Sequence, residues 1–137
     1  MSKSFFDTNI FVYAFDNNDP DKKRISKELI SKAGREGTGV LSTQVLQEFY
    51  VTCTKKLGVE PLTAKGYMSL LTNFDVIEIS PNLIESAIDC SVINKISFWD
   101  ALIVSAASFA KCTTLYSEDL NHDQVIKGVR VWNPFNI

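Results

Sequence analysis

The fold is decided by the stretch SFFDTNIFVYA, residues 4–14. A short aromatic run precedes a carboxylate, a hydroxyl and an amide, after which the sequence turns apolar again. This pattern predicts a strand that ends at Asp7 and a helix that starts at Thr8 or Asn9. Ligands bind beyond the carboxyl ends of the strands in an open α/β sheet, so Asp7 is expected at a site. The competing interpretation is that Asp7 or Thr8 only caps the helix.

The composition is that of an ordinary globular protein. The chain has 137 residues, of which 45% are hydrophobic and 22% charged, enough for one domain with a substantial core. No apolar run approaches the ~20 residues of a membrane helix, and the start of the chain does not look like a signal peptide, so we expect a cytoplasmic protein. The formal charge of −2 gives no overall attraction to nucleic acid. RNA binding would therefore need local basic patches, or metal ions between acids and phosphate.

The cysteines indicate free thiols. Cys53, Cys90 and Cys112 are widely spaced, form no CxxC motif and lie in apolar segments. Such an odd, scattered set is typical of a reducing compartment. Zinc binding is not expected with these cysteines and His122 alone, and His122 itself is expected in a loop.

Helices and strands alternate along the rest of the chain. We expect helices over residues 8–15, 20–35, 43–57 and 63–71, and two more that start near residues 81 and 98. Strands are expected over residues 39–42, 74–79, 112–116 and 129–132, with a short turn or helix over 121–127. The strand over 74–79 carries two acids and is expected at a sheet edge. This alternation predicts an α/β fold, a three-layer α/β/α sandwich with a central, mostly parallel sheet, in a single domain over 1–137.

Basic side chains concentrate on the helix over 20–35. They are Lys22, Lys23, Arg24, Lys27, Lys32 and Arg35. A charged outer helix face is commonly just solvated, and contact with a phosphate backbone is the functional alternative.

Two further acids lie near helix starts. Glu48 is the only acid of its helix and shares a face with Gln44 at i, i+4 spacing. Asp100 lies in the first turn of a helix that should be buried on most sides from Ala101 onward. The spacing from Ser97 to Asp100 fits a capping box, which would make Asp100 structural.

The surroundings of Asp100 favour a site as much as a cap. A capping box belongs at a solvated helix end, whereas Phe98 and Trp99 are expected to wrap this one in apolar surface. Both interpretations stay open at this point.

The predicted topology gathers four acids from distant parts of the chain. Asp7 and Asp119 follow strands, Glu48 and Asp100 begin helices, and in a parallel α/β sheet these ends share one edge. Carboxylates in one crevice raise each other's pKa unless a cation neutralises them. Oxygen ligands without His or Cys favour a hard ion, Mg²⁺ or Mn²⁺.

The ordered motifs resemble the PIN-domain family, and most of all its single-domain VapC-type toxin branch. The motifs are Phe6-Asp7-Thr8-Asn9, the lone Glu48, Phe98-Trp99-Asp100-Ala101-Leu102-Ile103, Tyr116-Ser117-Glu118-Asp119-Leu120 and Val131-Trp132-Asn133-Pro134-Phe135. The resemblance covers essentially the whole chain.

The resemblance implies a metal-dependent endoribonuclease that hydrolyses RNA with one or two Mg²⁺ or Mn²⁺ ions. Residues that match the family's acidic quartet are Asp7, Glu48, Asp100 and Asp119, and those that match its supporting polar positions are Thr8, Asn9 and Ser117. Glu118 and Asp123 are alternatives to Asp119 at the fourth position. The resemblance also implies a protein antitoxin as partner and a homodimer.

Two rival functions fit the same sequence. One is a Mg²⁺-dependent phosphotransfer or phosphatase domain, although the second acid that a phosphatase needs two residues after the first is here Asn9. The other is a PIN-like binding module without catalytic activity.

Overall fold

The computed structural model describes residues 1–136. Its strands are β1 (Ser4–Phe6), β2 (Gly39–Ser42), β3 (Asp75–Ile77), β4 (Thr114–Tyr116), β5 (Val125–Ile126) and β6 (Val129–Trp132). Its helices are α1 (Thr8–Phe15), α2 (Pro20–Glu36), α3 (Thr43–Lys55), α4 (Pro61–Leu71), α5 (Pro81–Asn94) and α6 (Phe98–Phe109).

The strands form one mostly parallel sheet in the order β3-β2-β1-β4-β6-β5. Strand β1 lies in the interior, with Ser4 opposite both Gly39 of β2 and Thr114 of β4. Only β5 runs antiparallel to its neighbour. The strand with two acids near it, β3, is at an edge, as the sequence predicts.

Helices cover both faces of the sheet. The chain moves from β1 through β2 to β3 in one direction and crosses back to β4 in the other. Right-handed crossovers then place α1 to α4 on one face and α5 and α6 on the opposite face. The contacts agree, because α1 packs against α2 and α3 while α5 packs against α6. The predicted three-layer α/β/α sandwich is confirmed.

The core is centred on β1, where Phe5 and Phe6 are fully buried. Phe74 packs its ring against that of Phe6 and lies over the backbone of Gly39 in β2. A Cβ atom added at Gly39 would lie 2.5 Å from the Phe74 ring, so this position has no room for a side chain.

The prediction of a short turn or helix over 121–127 is correct only in part, because a turn forms at 122–123 but the strand that follows it was not expected. The segment contains the short strand β5 and no helix, and a two-residue turn of Lys127 and Gly128 joins β5 to β6. Both turn residues have positive φ, 52° and 79°, as the hairpin turn that matches strand twist requires.

Other elements differ from expectation at their ends. The strands expected over 74–79 and 112–116 are three residues each, and α3 ends at Lys55. Helix α4 starts at Pro61 because Glu60 caps it, its carboxylate accepting a hydrogen bond from the Thr63 N–H at 3.2 Å.

The cysteines and the helix lengths bear on two further expectations. Within residues 1–136 the three cysteines are free and buried. No single helix of this part of the chain is long and apolar enough to cross a membrane. Helices α5 and α6 reach that composition only when they are taken together across a 116° bend.

Candidate functional site

Asp7 is both a helix cap and a buried acid at the end of β1. Its side chain is 4% exposed. One carboxylate oxygen accepts a hydrogen bond from the Thr8 N–H at 2.7 Å, and the other accepts one from the Ser117 hydroxyl at 2.7 Å. Asp7 therefore does cap α1 through the oxygen that faces Thr8. Capping does not explain why its other oxygen, which faces Ser117, is buried at the end of a strand.

Burial makes the ionised form of Asp7 costly. Loss of solvent is the main cause that raises the pKa of Asp7, to about 7, and the charges of Asp119 and Glu48 raise it further. The hydrogen bonds from Ser117 and Thr8 oppose the increase by favouring the carboxylate. A positive charge nearby would remove the cost.

Glu48 faces Asp7 from the first turns of α3. Its carboxylate accepts hydrogen bonds from the Thr8 hydroxyl at 2.6 Å and from the Gln44 side-chain amide at 3.3 Å. The same Gln44 amide donates to the backbone carbonyl of Trp99 at 3.2 Å. Gln44 thus connects the Glu48 helix to the start of α6.

Asp119 lies in the loop that follows β4. Its carboxylate accepts a hydrogen bond from the Asn9 amide at 3.0 Å, and its backbone N–H donates to the Ser117 hydroxyl at 3.1 Å. Burial is the main cause that raises the pKa of Asp119, with a further contribution from Asp100. Ser117 therefore joins Asp7 to Asp119 through one hydroxyl group.

Asp100 stands in the first turn of α6. Its backbone N–H donates to the Ser97 hydroxyl at 3.1 Å, so the predicted cap forms. The expectation that Phe98 and Trp99 shield this helix start is wrong, because Ser97 is exposed and the Trp99 side chain is 61% exposed. Apolar residue type alone did not reveal that the Trp99 ring points outward.

Glu118 and Asp123 are both engaged by basic residues. Glu118 forms an ion pair with Lys22 and accepts a hydrogen bond from the Tyr13 hydroxyl at 2.6 Å. Asp123 forms an ion pair with Arg130 at 2.6 Å. This leaves Asp119 as the acid of that loop without a basic partner among residues 1–136. No local sequence signal could have revealed the pairing of Glu118 with Lys22.

Glu48 and Asp119 line an open crevice of about 670 Å³ between α1, α3 and the start of α6, while Asp7 and Asp100 are not among its lining residues. None of the quartet acids, Asp7, Glu48, Asp100 and Asp119, forms an ion pair among the described residues. In that part of the chain no three acidic, His or Cys side chains are grouped so that they could hold a metal ion as they stand. An uncompensated set of carboxylate oxygens beside an open crevice nevertheless fits the chemistry of a hard divalent cation.

The basic helix α2 contributes little to this crevice. Lys22 is held by Glu118, while Lys23 and Lys27 line a separate apolar cavity between α2 and α4. Within residues 1–136, Lys56 at the end of α3 is the one basic residue that lines the acidic crevice.

His122 lies in a loop, as predicted, and is not among the residues that line the crevice. Its ring packs on that of Trp132, 4.3 Å away, and its Nδ1 accepts a hydrogen bond from the Asn133 N–H at 3.0 Å.

Comparison with known proteins gives a consistent result. The family model of the PIN domain matches residues 4–128. The chain is similar to a toxin–antitoxin complex from Klebsiella pneumoniae, with 22% identity over 98% of this chain and 100% of the other and a TM-score of 0.73. It is also similar to VapC20 of Mycobacterium tuberculosis, described as a toxin that cleaves the sarcin–ricin loop, with 19% identity over 85% of this chain and 90% of the other and a TM-score of 0.71. FitAcB of Neisseria gonorrhoeae shares 15% identity over 98% of this chain and 99% of the other, with a TM-score of 0.69. No curated protein sequence matched.

Proposed function

This chain belongs to the PIN-domain family, and from that premise we propose that it is a divalent-metal-dependent endoribonuclease, the toxin of a toxin–antitoxin pair. The observation that carries the proposal is the set of four acids at this edge of the sheet, none of which has a basic partner among the described residues. Glu48 and Asp119 line the crevice, their charges raise the pKa of Asp7, and the charge of Asp100 raises the pKa of Asp119. Such a set is unfavourable unless a cation binds it.

Each acid has a distinct part in this proposal. Asp7 and Asp100 would hold the Mg²⁺ or Mn²⁺, and Glu48 and Asp119 would contribute further carboxylate oxygens, directly or through water. When bound, the ion lowers the pKa of a water molecule and offsets negative charge on the phosphate. Glu48 and Asp119 line the open crevice, so they are the carboxylates that can accept the proton of the attacking water.

The polar residues beside the acids orient them. Thr8 donates to Glu48, Asn9 donates to Asp119 and Ser117 donates to Asp7. These hydrogen bonds fix the directions of the three carboxylates, and those to Asp7 and Asp119 also favour the charged form. Because the pKa of Asp7 is raised to about 7, protons compete with the cation at neutral pH and below.

The partners we propose are an RNA substrate, an antitoxin protein and a second copy of the chain. Support for the antitoxin comes from the similar structures, several of which are toxin–antitoxin complexes. Support for protein contacts comes from apolar side chains left exposed on α5, where Ile88, Val92 and Ile93 are 50%, 73% and 77% exposed. Light scattering of the purified chain tests the dimer. A single species with the mass of a dimer would support the dimer, provided that the Val92→Asp variant has the mass of a monomer. A monomer at all concentrations of the wild-type protein would contradict it.

The nuclease is tested with partner-free protein and a pool of structured RNA in Mg²⁺ or Mn²⁺, with EDTA as the blank. Cleavage is expected only with metal and should fall to background in Asp7→Asn. Asp123→Asn is the matched control, because it removes a carboxylate that is paired with Arg130 outside the quartet. It should cleave like the wild type.

Calorimetric titration with Mn²⁺ separates metal binding from catalysis. Wild-type protein should bind Mn²⁺ and Asp7→Asn should bind it much more weakly. Folded wild-type protein that neither binds Mn²⁺ nor cuts RNA would favour the inactive binding module instead.

A further inference from the structure

The side chain of Trp99 is exposed at the rim of the acidic crevice. It is 61% exposed and lines the crevice together with Glu48 and Asp119. Tryptophan is the largest apolar side chain, and leaving it in water forgoes a considerable part of the free energy that its burial would provide. Nothing in the packing of α6 requires a Trp here, since the core of that helix begins at Ala101.

The backbone that carries the exposed ring is nevertheless held in place, and the ring has one aromatic neighbour. The Gln44 amide donates to the Trp99 carbonyl at 3.2 Å, and the Ser97 hydroxyl caps the same turn through the Asp100 N–H. The Phe98 ring packs edge-on against the Trp99 ring, with centroids 5.1 Å apart and planes at 74°. An aromatic side chain on a well-held backbone has few torsions to restrict, so it loses little conformational freedom when a ligand covers it.

The surroundings of Trp99 indicate what kind of group could cover it. The crevice wall carries the apolar side chains of Val12 and Val51. It also contains Gln44, which is 4% exposed and whose carbonyl oxygen has no hydrogen-bond partner among residues 1–136. A flat group with an apolar face and polar edges suits such a wall, and a nucleobase has both.

We propose that Trp99 is a stacking platform for an unpaired nucleobase of the RNA strand whose phosphate is bound at the acids. This inference rests on the proposed nuclease function and specifies its substrate as single-stranded RNA at the cleavage position. Bases in a duplex are already stacked on their neighbours, whereas an unpaired base is free to stack on a protein ring. Trp99 thus favours cleavage in loops and single strands over cleavage in helices.

Fluorescence tests the stacking without relying on cleavage. The chain contains two tryptophans, so Trp132→Phe leaves Trp99 as the only one. Trp132 packs on His122 outside the crevice, and its replacement should leave cleavage unchanged. This variant is mixed in Mg²⁺ with a short single-stranded RNA, with a duplex of the same sequence, or with a chain of the same length that lacks bases. The fluorescence is read by stopped flow before any strand is cut.

The single strand is expected to quench the Trp99 fluorescence in a saturable way. At the same concentrations the duplex and the base-free chain should have little effect. Trp99→Ala should raise KM for single-stranded RNA about tenfold or more, and Trp99→Phe should recover part of the loss. The wild type, Trp99→Ala and Trp99→Phe should bind Mn²⁺ with the same affinity, which would show that the substitutions leave the acidic site folded.

Three results would overturn the proposal. The first is quenching by the base-free chain equal to that by the single-stranded RNA. The second is the absence of quenching by the single strand, the duplex and the base-free chain alike. The third is cleavage by Trp99→Ala with the wild-type KM. The inference and the nuclease fail separately. Quenching by RNA in a protein that cuts nothing would leave the stacking intact, and metal-dependent cleavage that is indifferent to Trp99 would leave only the nuclease.

Discussion

The substitution Asp7→Asn should make the metal-free protein more stable at pH 8 while it removes the proposed activity. The pKa of the Asp7 carboxyl is about 7 in the folded chain and 3.8 without the fold. That difference of about 3 corresponds to about 4 kcal/mol at ~1.36 kcal/mol per pKa unit. A neutral amide at this position does not carry the cost of a buried charge.

The direction with pH follows from proton binding. The folded chain holds the Asp7 proton more tightly than the unfolded chain, so wild-type stability falls as pH rises from 3.8 through about 7. The destabilisation is absent below that range and complete above it. The amide side chain does not titrate, so the advantage of Asp7→Asn should grow by about 2–3 kcal/mol between pH 5 and pH 8.

The hydrogen bonds reduce this gain only in part. The amide oxygen can still accept from the Thr8 N–H, and the amide nitrogen can donate to the Ser117 oxygen in place of the bond that Ser117 now donates. We allow about 1 kcal/mol for the less favourable arrangement. The expected net gain at pH 8 is therefore about 2–4 kcal/mol.

Urea unfolding in EDTA at pH 5 and pH 8 measures the effect. Asp89→Asn is the matched control, because it removes an exposed carboxylate on α5 and should change stability by less than about 0.5 kcal/mol at either pH. Adding Mg²⁺ should stabilise the wild type and leave Asp7→Asn unchanged. If Asp7→Asn is no more stable than the wild type at pH 8, burial of the charge is not what raises the pKa, and the reasoning is refuted.

Four further predictions follow from other contacts. Glu118→Gln should lower the free energy of unfolding by about 1 kcal/mol, by loss of its ion pair, and keep RNA cleavage within a few-fold. Asp119→Asn should abolish cleavage. If Glu118→Gln abolishes cleavage and Asp119→Asn does not, then Glu118 is the fourth acid of the site. Gly39→Ala should lower stability by about 1–3 kcal/mol in urea unfolding through the clash with Phe74, a loss that Phe74→Leu should partly relieve if the clash is the cause. Lys56→Gln should reduce the salt dependence of single-stranded RNA binding by about 0.7 in the log–log slope, and an unchanged slope would mean that Lys56 contacts no phosphate.

Apolar patterning was enough to predict most of the fold. Strands β2 and β6 have the bounds that their apolar runs indicated, and the alternation of elements gave the parallel sheet. Strand β5 was missed because it is two residues long and its turn, Lys127-Gly128, lacks the Asn or Asp that usually marks such hairpins. Its pairing with β6 is a tertiary contact that no local pattern specifies.

The residues of the candidate site were also predictable from the sequence, but the contacts between them were not. Placing acids at strand ends and helix starts was enough to expect Asp7, Glu48, Asp100 and Asp119 at one edge, and the structure places them there. The roles of these acids stay predictions. The partners of Glu118 and the outward direction of Trp99 depend on packing between segments far apart in the chain, which residue types do not encode.

The position of β1 inside the sheet has a consequence for synthesis on the ribosome. Residues 4–6 emerge before the other strands of the sheet, yet one of their two neighbouring strands, β4, and the Ser117 hydroxyl that secures Asp7 come more than 100 residues later. Until then a nascent chain exposes one unpaired edge of β1 and lacks Asp119. The acidic crevice is therefore completed only after residue 119 has left the ribosome, and a fragment that ends before β4 lacks it.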